Sequence, residues 1–179
     1  MNQFFISILI ILAGGFSSLI LAKKAKPARM VSVFLISLGC LWGLVDVTSK
    51  LLQSVTAEKS FEFLTVFSLS FKMDGLSAFF LFVVFAICLL SSIYSYHYMG
   101  HEKKPVRVAA NYFFFSILIA SMALVITASN ILAFMLSWEA MSLSSFFLVI
   151  YNHEASENRK AGYLYFVFSH VGAMFILAS

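Results

Sequence analysis

The chain has 179 residues, 61% of them hydrophobic and 11% charged, and carries a formal net charge of +4. Soluble domains are about 45–50% apolar and about 25% charged, so no water-soluble fold of this size could hide so much apolar surface. The Lys and Arg residues sit in short clusters between apolar stretches, which is a membrane-topology signal and not a nucleic-acid footprint.

In chain order, six segments approach the length of about 20 apolar residues that a helix needs to cross a hydrocarbon core of about 30 Å. The first, 3–22, is followed and not preceded by Lys23, Lys24, Lys26 and Arg29. A secretory signal has the opposite charge order, so this segment is read as a retained helix with its amino terminus outside. The second, 30–52, carries Asp46 and Lys50 four residues apart toward its outer end, a spacing that pairs opposite charges on one helix face and is expected to be structural. The 53–73 connection is long for a helical bundle. Its Phe61–Phe71 part is rich in Phe, Val, Leu and Ser and suits an outside β-hairpin or an interfacial aromatic segment, and both readings stay open.

The third span, 74–98, opens on Asp74, placed to cap the helix and meet the positive end of its dipole. It closes on Tyr94, Tyr96, His97 and Tyr98, amphipathic rings suited to the headgroup region. Pro105 in the basic His101–Arg107 stretch is expected to mark a short turn before a fourth span, 111–128. The uncharged Ser129-Asn130 turn leads into a fifth, 130–150, and the sixth is 161–178. Short basic loops stay in the cytoplasm, which puts the 23–29 and 101–107 loops inside and both chain ends outside, in a bacterial or archaeal-type inner membrane. Cys40 and Cys88 lie inside apolar runs without metal-site or disulfide spacing and are expected to be buried, inert thiols. Gly14-Gly15, Ser17-Ser18, Ser144-Ser145 and Gly172-Ala173 are candidates for close helix contacts. The expected fold is an all-α membrane protein of six transmembrane helices, in contact with the lipid bilayer.

Two ionisable residues sit where the membrane makes charge expensive, at about 2.5–3.5 kcal/mol each on insertion scales. Glu139 lies near the middle of the fifth span and His170 about nine residues into the sixth, which runs the other way. At a rise of about 1.5 Å per residue the two fall at similar depth, within reach of one another if the helices are neighbours. Ser142 shares a helical face with Glu139, and Ser169 adjoins His170, so hydroxyls are at hand to extend a hydrogen-bonded chain. These four residues are the candidate proton-handling group, weighed against a purely structural role as interhelical glue. There is no nucleophile paired with a base, no metal-ligand cluster and no phosphate-binding loop, so no catalytic site, metal or cofactor is expected in this chain.

Three stretches carry a family resemblance: Lys72-Met-Asp-Gly-Leu-Ser-Ala-Phe-Phe, Tyr94-Ser-Tyr-His-Tyr-Met and Ser137-Trp-Glu-Ala-Met-Ser-Leu-Ser-Ser-Phe. The sequence resembles the antiporter-like membrane subunits shared by respiratory complex I, multisubunit cation/proton antiporters and membrane-bound hydrogenases. Tyr151-Asn-His-Glu and Arg159-Lys-Ala-Gly-Tyr-Leu-Tyr-Phe-Val-Phe-Ser-His-Val-Gly are most similar to the large membrane subunit of formate hydrogenlyase and hydrogenase-4. The resemblance implies a subunit that moves H+ or Na+ beside other membrane subunits of a complex whose redox chemistry lies elsewhere. It implies that residues 1–110 are three amino-terminal helices and that 111–179 are the first three helices of a five-helix repeat. It also matches Glu139 to a glutamate that pairs with a lysine on a later helix. Family members continue well past six helices, so the resemblance implies a fragment, a truncated product or one piece of a split subunit. The alternative expectation is a non-conducting structural or assembly piece of such a complex.

Overall fold

The computed structural model describes residues 1–53, 56–63, 67–102, 104–152 and 156–178. Six helices account for most of it: α1 (Asn2–Ile20), α2 (Ala25–Gln53), α3 (Gly75–Tyr98), α4 (Pro105–Thr127), α5 (Ile131–Val149) and α6 (Ser156–Ala178). Between α2 and α3 runs a two-stranded antiparallel hairpin, β1 (Ala57–Phe63) and β2 (Phe67–Met73). Among the described residues, α1 to α5 are each long and apolar enough to cross a membrane. The sixth expected span falls on α6, whose first five residues include Glu157, Arg159 and Lys160 ahead of its apolar part.

Two helix starts differ from the sequence reading, for one physical reason. Pro105 is not in a turn that precedes α4 but is its first residue, and Pro27 lies in the first turn of α2, which begins at Ala25 and not at 30. Proline lacks the N–H that is unsatisfied in a first turn anyway, and its fixed φ suits a helix entry. Both helices therefore reach back into the basic stretches. The Asp74 carboxylate accepts the Ser77 N–H at 2.8 Å and caps α3, and Asn130 caps α5 by accepting the Ala133 N–H at 2.9 Å.

The 53–73 connection takes the hairpin form. Leu69, Phe71 and Met73 alternate with Ser68, Ser70 and Lys72, a period of two that puts apolar groups on one face. The register pairs Ala57 with Met73, Lys59 with Phe71 and Phe61 with Leu69. Met73 is fully buried and Phe71 nearly so. Phe5 of α1 meets the rings of Phe61 and Phe71 edge-on at 5.2 and 5.7 Å. On the other face Lys72 pairs with Glu58 directly across the ladder at 2.8 Å. Strand β2 also clasps the α4–α5 turn: the Ser129 N–H donates to Ser70 O at 2.9 Å, Asn130 Nδ2 donates to Ser68 O, and Phe71 bridges to Ala128.

The core lies among α1 to α4, where Phe4, Ile11, Ile36, Leu81, Phe85, Tyr112 and Ile119 are fully buried. Small residues allow the close approach. Gly39 faces Ile11 of α1, Gly43 faces Phe85 of α3, Gly14 faces Ile36 of α2, and Gly15 faces Ser116 of α4. Ser18 Oγ donates across to Ala109 O at 2.8 Å. Gly14, Gly15 and Ser18 thus serve the contacts expected of them, whereas Gly172 meets nothing within 4 Å. Helix α5 packs on α4 and α6 chiefly on α5, so the last two helices form one flank of the bundle. Cys40 and Cys88 are both free and buried.

Candidate functional site

Glu139 is the ninth residue of α5, whose entry is set by the Asn130 cap and by the clasp on β2. His170 sits in the carboxy-terminal half of α6. The two helices run antiparallel, and the side chains meet: His170 Nε2 lies 3.0 Å from Glu139 Oε2. The other ring nitrogen, Nδ1, lies 2.9 Å from the carbonyl of Phe166, one turn back on the same helix. A carbonyl can only accept, so Nδ1 carries a proton. Nε2 is then the ring nitrogen left to meet the Glu139 carboxyl.

One turn farther along α5, the hydroxyls of Ser142 and Ser169 are hydrogen-bonded to each other. The interhelical seam therefore consists of an acid–imidazole pair and a hydroxyl pair, in direct succession. Phe166 flanks it, with its ring 4.0 Å from the imidazole and 5.4 Å from Phe146. The seam is not sealed. The Glu139 side chain is 40% exposed and that of His170 is 30% exposed, so this flank presents a titratable pair to whatever lies beside it.

The remaining charged residues singled out in the sequence stay apart from the seam. Lys50 Nζ lies 2.6 Å from Asp46 Oδ2 within α2, with the two side chains 13% and 9% exposed, and Asp74 is taken up by its cap. Two contacts were not foreseen. Tyr151, in the turn after α5, donates its hydroxyl to Glu102 at 2.8 Å and so ties the α5–α6 connection to the α3–α4 connection. Arg29 stacks its guanidinium on Tyr96, 4.5 Å from the ring centre, so Tyr96 does more than anchor in the headgroup region. Each joins residues far apart in the chain, and no local spacing announces either.

Two family models match. One, described as the amino terminus of chain 5 of NADH-ubiquinone oxidoreductase (complex I), covers residues 64–107. The other, described as the transmembrane part of NADH:quinone oxidoreductase and Mrp antiporters, covers residues 128–179 and hence the Glu139–His170 seam. Hydrogenase-4 component B of Escherichia coli K12 is 33% identical over 172 residues, which is 96% of this chain and 25% of that protein. NADH-quinone oxidoreductase subunit L of the same organism is 32% identical over 112 residues, which is 62% of this chain and 18% of that protein. The chain thus spans about a quarter or less of the length of these relatives. The fold is also that of a chain in the archaeal membrane-bound sulfane sulfur reductase, a respiratory membrane complex, with a TM-score of 0.70 and 18% identity over 99% of this chain and 36% of that one. With the apolar helices, the hairpin and the acid–imidazole seam all on one scaffold, these matches establish that the chain belongs to the antiporter-like family of multi-pass membrane subunits found in complex I, hydrogenase and Mrp antiporter assemblies.

Proposed function

We propose that this chain is the amino-terminal portion of a subunit that moves H+ or Na+ across a membrane within a hydrogenase- or NADH-dehydrogenase-like respiratory complex, with Glu139 as its titrating group. The observation that carries this reading is the 3.0 Å contact between Glu139 Oε2 and His170 Nε2, which sets an acid and an imidazole directly against each other. A group of this kind changes its proton position at little cost when a neighbouring charge moves. The Ser142–Ser169 hydroxyl pair extends the seam by one further hydrogen-bonded step. The seam's open side is suited to a neighbouring helix or subunit that supplies the moving charge. In this reading residues 1–110 form the supporting bundle and 111–179 begin the ion-handling repeat. The basic 23–29 and 101–107 loops face the cytoplasm and the amino terminus faces outside, in an inner membrane. No redox centre is assigned to this chain, and electrons are handled by partner subunits.

The second reading is a non-conducting membrane piece that helps assemble such a complex, and the same seam supports it, since two polar pairs can serve simply to hold α6 on α5. One substitution separates the two readings. Glu139→Gln keeps the side-chain shape and can still donate to His170 Nε2, so α5–α6 packing survives. In the intact complex reconstituted into vesicles, it should lower redox-driven ion uptake by at least about tenfold while the complex remains assembled. Uptake at the wild-type rate would refute the transport reading and leave the structural one.

A further inference from the structure

The basic stretch before and within the start of α2 has so far served only as a topology signal, yet one of its members behaves differently from the rest. Lys23, Lys24 and Lys26 are exposed, whereas Arg29 is half-buried, folded back against the end of α3. Its guanidinium lies over the Tyr96 ring, and Gly100 makes room for it: a Cβ at position 100 would stand 2.7 Å from Nη1. Arg29 Nε is buried and has no hydrogen-bond partner. None of the described carboxylates pairs with this cation. The first turn of α2 holds no acidic residue either, so its free N–H groups add positive potential at the same end. Lys26, three positions before Arg29, lies on the same side of the helix. Tyr94 and Tyr98, stacked on each other and exposed, mark the headgroup level beside it.

A planar guanidinium with no carboxylate partner among the described residues, flanked by exposed ammonium groups at headgroup depth, matches a phosphate better than a carboxylate peptide or a neutral ligand. We infer that Arg29, seated between Tyr96 and Gly100, forms with Lys26 and the neighbouring Lys23 and Lys24 a binding site for a phosphate group. Its position at the membrane surface favours the phosphodiester of an anionic glycerophospholipid in the adjoining leaflet over free phosphate. The lipid's chains would lie along the apolar outer faces of α2 and α3. The site is independent of ion transport and of the orientation of the chain in the membrane.

The test uses the protein purified in its membrane complex, stripped with detergent and titrated with phosphatidylglycerol, phosphatidylcholine or inorganic phosphate, with bound lipid counted by native mass spectrometry. Retention of phosphatidylglycerol should exceed that of phosphatidylcholine and fall by about fivefold to tenfold in Arg29→Gln. Gly100→Ala should weaken it in the same direction by displacing the guanidinium without removing charge, and it keeps the test open if Arg29→Gln fails to assemble. Lys23→Gln should weaken it less. Competition by inorganic phosphate that depends on Arg29 would support the phosphate site and assign it to the free anion where phosphatidylglycerol shows no preference. Equal phosphatidylglycerol and phosphate binding by wild type, Arg29→Gln and Gly100→Ala would overturn the proposal.

Discussion

Adding one methyl group to Gly15 should destabilise the bundle, and the structure gives both the size of the effect and its cure. A Cβ built on Gly15 would stand 1.8 Å from Ser116 Oγ, 2.8 Å from Ser116 Cβ and 3.4 Å from the Phe113 backbone on α4. The first two distances are not sustainable, and the hydroxyl is already turned to donate to Phe113 O at 2.8 Å, so α1 and α4 must move apart. Overpacking of this kind costs about 1–3 kcal/mol, and the better helix propensity of alanine returns at most about 1 kcal/mol, leaving Gly15→Ala less stable by roughly 1–2 kcal/mol. Ser116→Gly removes both offending atoms. The double variant should therefore be no less stable than Ser116→Gly alone, with a coupling of about 1–2 kcal/mol. Gly172→Ala is the internal control, because nothing stands within 4 Å of its Cβ. That substitution should be neutral or stabilising by up to about 1 kcal/mol. Reversible unfolding in detergent micelles titrated with a denaturing detergent, followed by far-ultraviolet circular dichroism, measures all four. If Gly15→Ala proved as stable as Gly172→Ala, or if Ser116→Gly failed to restore it, the α1–α4 packing described above would be wrong.

Two further outcomes are expected. Lys50→Met strands Asp46, whose side chain is only 9% exposed, and should cost roughly 3 kcal/mol, whereas combining it with Asp46→Leu should recover most of the loss; equal losses in the single and double variants would show that the pair is not interdependent. Burial, reinforced by the hydrogen bond to Glu102, pushes the Tyr151 phenol well above its usual value. A raised folded value means that stability from the neutral phenol is complete below about pH 10 and is lost as pH climbs through the folded value. Tyr151→Phe should therefore flatten the alkaline fall in stability, and a fall as steep as that of the wild type would refute the coupling.

Much of the fold was legible because it depends on local pattern. Apolar length marks a span, and charged clusters mark its ends. The 53–73 connection stayed open between a hairpin and an interfacial aromatic segment, and the structure chose the hairpin, with the alternation in Phe67–Met73 fitting a strand. Gly39 and Gly43, four residues apart in α2, likewise carried a readable small-residue spacing for the contacts they make with Ile11 and Phe85. Pro105 was expected to mark a turn, whereas in the first turn of a helix proline is a start, as Pro27 in α2 also illustrates.

What the sequence determined by itself was depth. A fixed rise per residue places Glu139 and His170 at one level, and Ser142 and Ser169 beside them, as soon as the two spans are antiparallel. Rotation was decided only by the tertiary structure. Each residue turns a helix by about 100°, and which face of α5 meets α6 depends on how α5 seats on α4 and how β2 clasps the α4–α5 turn. Those long-range contacts bring Glu139 to His170, and the same kind of contact brings Arg29 to Tyr96 and Tyr151 to Glu102. Such pairings reflect packing between whole helices, a property that no window of sequence contains.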